Sequence, residues 1–281
     1  MAKLISIIIA IYNRADALES ILRALMRQTD QEFEVVLADD GSTDATASVI
    51  EAWRTKVGFR LGHVWQEHSS FRAGESRNRA ILASRGGYFI FLDGDCIPRA
   101  DFVAQHRRLA EAGWFVTGNR ILLSPELTDR VLRERLTPET WGLGDWLRER
   151  RKGGVNRLAP LLQLPLGPLR RVRSQKWRDA RGCNLGVWRS DIDRVDGFDA
   201  EYSAWGPEDS DLMVRLMHAG LRRKDGIFAT GVLHLWHPPA DRSRVRELDG
   251  KLFDLIDSDR IRAKRGLSAI RASSSAAQAA G

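Results

Sequence analysis

Apolar residues gather into short, unbroken runs in the first third of the chain. Leu4–Ile11 (LISIIIAI), Phe33–Ala38 (FEVVLA) and Tyr88–Leu92 (YFIFL) are rich in β-branched and aromatic side chains. Runs of this length and composition predict strands buried on both faces. Phe59–Gln66 alternates weakly and predicts a further strand. Between the runs the period changes. Asp16–Thr29 sets Ala17, Ile21 and Leu25 beside Leu18 and Leu22 at helical spacing, and Asp44–Val57 and Arg72–Ser84 also predict helices. Strand alternating with helix predicts an α/β fold: a mostly parallel central sheet with helices on both faces. Ligands of such sheets bind beyond the carboxyl ends of the strands.

The pattern then divides the rest of the chain. After residues 1–124 comes a segment, 125–180, rich in Arg, Leu and Trp and broken by Gly142, Gly144, Gly153, Gly154, Pro160, Pro165 and Pro168. It predicts an insertion of short helices and loops. Order returns in 181–240, with a strand at Cys183–Trp188, a helix at Glu208–Ala219 and a strand at Ile227–Trp236. A C-terminal helix is expected within 241–267. Residues 268–281 are small and polar and are expected to be a disordered tail.

Composition changes this picture in one place. The 281 residues carry a net charge of +7, with 43% hydrophobic residues, enough for a substantial core. Residues 130–181 contain 14 Arg and Lys against 5 Asp and Glu, a local +9 that leaves −2 for the remainder. The basic character therefore belongs to the insertion. Its arginines alternate with Trp141, Trp146, Leu147, Leu161, Leu162, Leu164, Leu166 and Leu169, a mixture suited to an anionic membrane surface as well as to a solvated flap. The longest uncharged apolar run, Leu4–Tyr12, is too short to span a bilayer. A cytoplasmic protein, peripheral at the inner face of the cell membrane if the insertion binds lipid, is the expectation. Cys96 and Cys183 are too few for a disulfide framework and read as free thiols.

Three strand ends carry polar clusters: Tyr12-Asn13-Arg14, Asp39-Asp40-Gly41-Ser42-Thr43-Asp44 and Asp93-Gly94-Asp95. One such cluster would mean little; three at the same sheet edge describe a pocket. Carboxylates two apart on an extended chain lie about 7 Å apart on one side, and hard divalent cations such as Mn2+ or Mg2+ are held by one or two carboxylates plus substrate phosphates. Asp39, at the strand terminus itself, suits a uracil N–H. Arg72, Arg77 and Arg79 share one predicted helix and suit phosphate. In Trp205-Gly206-Pro207-Glu208-Asp209, Glu208 and Asp209 are candidates for a general base, and Trp205 offers a flat face to a sugar ring. His234 and His237 are candidate metal ligands.

These residues together resemble the family-2 inverting glycosyltransferases with the Rossmann-like glycosyltransferase-A fold. The matching pieces are Ser6–Arg14, Val36–Asp44, Arg77-Asn78-Arg79-Ala80 and Phe91–Asp95. Gly182-Cys183-Asn184-Leu185, Gly197-Phe198-Asp199, Trp205–Asp209 and Arg215-Leu216 resemble a galactosyltransferase-type C-terminal region. The resemblance implies that residues 1–124 bind a nucleotide sugar, a UDP-sugar, through Ala10, Tyr12, Asn13, Arg14 and Asp39. It implies a donor contact from Arg79, with Asp95 and His234 or His237 on the metal, and Asp93 and Gly94 against the ribose or a metal-bound water. It makes Asp209 the base and implies acceptor contacts from Trp205, Gly206 and Asn184. A glycan or lipid-linked acceptor follows. Pro207 departs from the Gly usual at that position, so the acceptor loop is where the chain differs.

Other classes fit less well. A nucleotidyltransferase acting on sugar phosphates would want a Gly-rich phosphate loop after the first strand, and an oxidoreductase would want Gly-x-Gly-x-x-Gly there; Ala10-Ile11-Tyr12-Asn13-Arg14 has neither. A nucleic-acid-binding protein accounts for the basic charge but leaves the acidic pocket unexplained, so no nucleic-acid partner is expected.

Overall fold

The apolar runs lie side by side in the computed structural model, which describes residues 3–178, 182–239 and 241–279. Strands β1 (Ile5–Ile11), β2 (Phe33–Asp39), β3 (Leu61–Trp65) and β4 (Tyr88–Asp93) pair in parallel in the order β3-β2-β1-β4. Helices α1 (Ala15–Leu25), α2 (Asp44–Arg54) and α3 (Ala73–Ala83) connect them. Ile5, Ile7, Ile9, Leu37, Ile90 and Leu92 pack with Leu18, Ile21 and Leu22 of α1 on one face. Ile8, Val36, Ala38, Phe89 and Phe91 pack with Ala80 and Ile81 of α3 on the other. Both faces are covered, which is why these strands show no polar alternation.

The chain continues through β5 (Cys96–Pro98), α4 (Phe102–Leu109), β6 (Trp114–Thr117), β7 (Arg120–Leu122), α5 (Pro125–Arg133) and α6 (Leu143–Arg151). It ends with β8 (Asn184–Trp188), α7 (Arg189–Val195), α8 (Glu208–His218), β9 (Arg222–Asp225), β10 (Val232–His234), α9 (Val245–Ile256) and α10 (Leu267–Ala279). The main sheet has the order β3-β2-β1-β4-β8-β6-β9, with β8 antiparallel to both neighbours. A small sheet, β5-β10-β7, lies beside it. Sequential strands run outward from β1 in one direction while β4 adds on its other side. That reversal opens a crevice at the carboxyl ends of β1 and β4.

Two boundaries differ from the pattern, and the insertion, with the short helices expected, joins the core. The strand expected at Ile227–Trp236 shrinks to Val232–His234, because Gly226–Thr230 forms a turn closed by Thr230 N donating to Gly226 O. The insertion is not a separate layer: Leu127, Val131, Trp146 and Val155 join the apolar face built on α1. The segment expected as a tail begins as a helix, since Leu267 and Ile270, three apart, are buried and Ser268 binds Asp196 through both N and Oγ. The compositional reading missed those two apolar anchors. Residues 280–281 lie outside the described residues.

Candidate functional site

A cleft of about 960 Å³ occupies the crevice. Its floor depends on Gly94. The Gly94 N–H donates to Ala10 O at 2.8 Å, and a Cβ there would sit 2.7 Å from that oxygen. Only glycine lets the turn after β4 close onto the end of β1. This turn sends its two carboxylates to different partners. Asp93 Oδ1 accepts from Arg77 Nη2 at 2.8 Å. Asp95 Oδ2 faces His237 Nε2 at 3.2 Å and His234 Nε2 at 3.5 Å. The two carboxylates, given different roles by the resemblance, thus face different partners.

Asp95, His234 and His237 bring one donor atom each to within 4.8 Å of one another. Leu235 N donates to Asp95 O at 2.8 Å, which locks the segment after β10 against the Asp95 turn. Burial holds His234 below the usual histidine range, so it presents a neutral imidazole. The hydrogen bond to Asp95 raises His237 instead. Burial pushes Asp95 up, but the two histidines more than offset it and keep its carboxyl below the usual range. One carboxylate and two imidazoles fit a divalent cation that accepts nitrogen with oxygen, so manganese suits the set better than magnesium.

Arg77 links this end of the cleft to the other. Its side chain is 4% exposed, and Nη1 lies 3.3 Å from Asp209 Oδ1 and 3.5 Å from Glu208 Oε1. Its face rests on the Phe198 ring. Asp209 also accepts from Gly182 N at 3.1 Å and opens to the cleft. Glu208 is buried beneath it, with Oε2 lacking a partner. Burial, reinforced by the Asp209 charge, pushes Glu208 up to about 8. Burial also raises Asp93 to about 6 despite Arg77. Asp211, two residues on, turns inward to Arg215 at 2.5 Å. Of the acidic run at the start of α8, Glu208 and Asp209 line the cleft, and Asp209 is the more exposed of the two, 27% against 7%.

Other expected residues are placed differently. Arg79 pairs with Glu75 at 3.1 Å and does not line the cleft. Residues two apart on a helix point to different sides, so Arg77 excludes Arg79 from the site. Arg72 turns its guanidinium to Glu67 O and Glu75, and its N–H to Asp40 Oδ2. Asp39 is 1% exposed, with Oδ1 accepting from Ser42 N and Oδ2 lying 2.8 Å from His63 Nε2. Its neighbour Asp40 lines the cleft. Asn13, at φ +48, accepts from Thr43 N and takes Ser42 Oγ on its own N–H, tying the turns after β1 and β2 together. Ala10, Tyr12 and Arg14 do line the cleft, and Tyr12 stacks on His68 with ring centroids 4.3 Å apart.

At the acceptor end, Trp205 and Gly206 line the cleft, and the Arg242 guanidinium covers the Trp205 ring at 4.6 Å. Asn184 does not reach it. It is fully buried, with Oδ1 3.0 Å from His106 Nε2 and Nδ2 donating to Thr230 O and Asn119 O. As the first residue of β8 it clips that strand to the turn before β7, while the preceding Gly182 and Cys183 face the cleft.

Arg120 escapes sequence reading altogether. It opens the three-residue β7 and lines the cleft among Asp93, Asp95, Cys96 and Cys183. Burial works against its charge, while the carboxylates of Asp93 and Asp95 favour it. Only the pairing of β7 with β10 brings it beside His234. Both cysteines are free and buried, as expected.

Comparison with known proteins shows the family and the fold. The sequence model of glycosyl transferase family 2 matches residues 6–173, and that described as the N-terminal domain of galactosyltransferase matches residues 172–237. Validoxylamine A glucosyltransferase of Streptomyces hygroscopicus subsp. jinggangensis is 30% identical over 261 residues, 87% of this chain and 57% of that protein. The chain thus spans little more than half the length of this curated relative. Among solved structures, TarS of S. aureus in complex with UDP superposes with a TM-score of 0.59 at 17% identity, covering 91% of this chain and 64% of that one. The mannosyltransferase PcManGT of Pyrobaculum calidifontis, in complex with GDP-Man and Mn2+, gives 0.58 at 18% identity, covering 100% and 76%. The fold is the glycosyltransferase-A fold, and, with more than half of its length matched, the chain belongs to glycosyl transferase family 2.

Proposed function

We propose that this chain transfers a sugar from a UDP-sugar to a hydroxyl of a glycan or glycolipid acceptor, with metal assistance and inversion at the anomeric carbon. One observation carries the reading: Asp95 and His237, which with His234 could hold a cation, line the same cleft as the carboxylate of Asp209, and Arg77 contacts both Asp93 and Asp209. The UDP in TarS and the GDP-Man and Mn2+ in PcManGT support a nucleotide-sugar donor and a divalent cation here.

The nucleotide lies over the ends of β1 and β2, against Ala10, Tyr12, Arg14 and Asp40. Asp95 and the two histidines would hold the cation, which would supply charge neutralisation for the diphosphate. Asp209 accepts the proton of the attacking hydroxyl at its carboxylate. Arg77 holds Asp209 in place and keeps Asp93 and Asp209 from repelling one another. Glu208, protonated at neutral pH by its burial, adds no further negative charge under the base. The acceptor packs toward Trp205 and Gly206. An acceptor presented at an anionic membrane suits the basic insertion, and among the described residues no helix is long and apolar enough to cross a membrane.

The test is UDP release from a panel of UDP-sugars in the presence of manganese. Asp209→Asn is expected to bind donor as the parent does and to lose turnover by about 10²–10⁴-fold. Full turnover in that variant removes Asp209 as the base, and activity indifferent to EDTA removes the metal from the reading.

A further inference from the structure

A separate groove of about 340 Å³ is built by the insertion. Trp141, Trp146, Leu158, Leu161 and Leu233 wall it, the two tryptophan rings 5.0 Å apart. Leu233 and His234 are neighbours on β10, so their side chains leave opposite faces of the strand. Groove and cation-binding set therefore lie back to back across the small sheet.

The polar groups in the wall are already engaged. Glu139 is 2% exposed and turns to Arg27 Nη1 at 3.2 Å. Arg99 donates to Leu161 O. What the groove offers is hydrocarbon. Its rim is apolar as well: Leu143 is 66% exposed and Leu162 53%. Leu147, one turn from Leu143 on α6, is 40% exposed and extends the same helix face. Contiguous leucines this exposed call for a partner.

The same segment carries a surplus of cations. Arg148, Arg150, Arg151, Lys152 and Arg157 are all exposed. The acidic side chains of α6 do not balance them, because Asp145 pairs with Arg148 and the buried Glu149 pairs with Arg130 and Lys152. Arg151 and Arg157 have no carboxylate within ion-pair distance among the described residues. An apolar slot with an exposed leucine rim and a surplus of arginine matches an anionic lipid: hydrocarbon for the slot, phosphate for the guanidinium groups. A soluble polyanion would use the cations and leave the slot empty.

We propose that this surface seats the protein on anionic phospholipid, with one acyl chain entering the groove between Trp141 and Leu162. The inference deepens the lipid-linked acceptor reading and rests on it. It gives the cleft a fixed standing relative to the membrane, on the far side of the small sheet from the lipid.

The experiment is flotation of the full chain with vesicles of phosphatidylcholine alone or with phosphatidylglycerol, at physiological salt. The parent protein should float with the anionic vesicles only. Leu143→Glu with Leu162→Glu, both exposed and so harmless to folding, should lower binding about tenfold or more. Phosphatidylglycerol brominated on its acyl chains should quench tryptophan fluorescence, and Trp141→Phe should reduce that quenching. No flotation overturns the proposal. So does flotation unchanged by the double variant, or an equal affinity for single-stranded nucleic acid that follows salt alone. UDP release without vesicles separates the two readings: the groove variants should retain it. A parent protein that releases UDP but does not float removes this inference alone, whereas a parent that floats but releases UDP from no UDP-sugar removes the catalytic reading.

Discussion

Gly182 donates its backbone N–H to Asp209 Oδ2 at 3.1 Å, and a Cβ at position 182 would stand 2.0 Å from the Asp209 carboxyl carbon. The two residues lie 27 positions apart, yet the carboxylate can keep its place only while position 182 has no side chain. Gly182→Ala is expected to displace Asp209 by roughly 1 Å and to lower kcat on the order of 10²-fold. UDP affinity, measured calorimetrically with manganese, should stay near that of the parent.

Arg77 should matter to stability as well as activity. It faces Asp93 and Asp209, and lies against Glu208, from a nearly buried position. Arg77→Met leaves those groups without their cation and is expected to cost about 3–5 kcal/mol. Urea unfolding reads this directly. Arg77→Lys should recover only part of it, because an ammonium lacks the planar fork that meets Asp93 and Asp209 together.

The two histidines should behave as a pair. His234→Ala or His237→Ala is expected to raise the manganese concentration for half-maximal UDP release by roughly tenfold or more. His234 is the more buried of the two, so its loss should also lower the melting temperature. An unchanged manganese titration in both variants would remove them from the cation site.

Arg120 is expected to act on the departing diphosphate. Arg120→Met should lower kcat about tenfold or more while changing KM less, as for a charge felt mainly in the transition state. Its partly exposed position predicts little change in melting temperature. A variant that raises KM alone would make Arg120 a binding residue only.

Glu208 gives a pH dependence with a definite sign. Its pKa in the folded protein, about 8, is above the ordinary value of 4.5. The folded state therefore binds more protons than the unfolded state between these values. The stability this group allows is fully present below about pH 4.5 and is lost as pH rises through about 8. Glu208→Gln should abolish that loss, so the melting temperatures of parent and variant should diverge progressively from pH 5 to pH 9 in favour of the variant. Parallel curves would show that Glu208 is ionised in the fold.

The sheet was legible because burial on both faces imposes a local pattern. Unbroken apolar runs at Leu4–Ile11 and Tyr88–Leu92 mark strands without any knowledge of partners. The Asp93-Gly94-Asp95 turn was legible for the same reason, as a polar cluster at a strand end. The ion pair of Asp93 with Arg77 was not. It arises because Arg77 approaches from α3, as the histidines approach Asp95 from β10, and neither approach leaves a mark at positions 93 to 95. The burial of Asp39 and Asn184 was not legible for a related reason. Each has the right residue type beside the cleft, but strand geometry turns each side chain into the interior, where backbone groups and histidines satisfy it.

The amino-acid sequence by itself determined the alternating architecture, the strand ends that carry function and the chemical types in the site, since these follow from local periodicity and residue identity. Tertiary structure alone decided which acids face the cleft, which arginine reaches them, that Arg120 belongs there and that exposed leucines of the insertion rim a groove. Those outcomes depend on crossings between segments distant in sequence. The energy that fixes them is that of buried charges finding partners, and only the assembled fold states which partners are within reach.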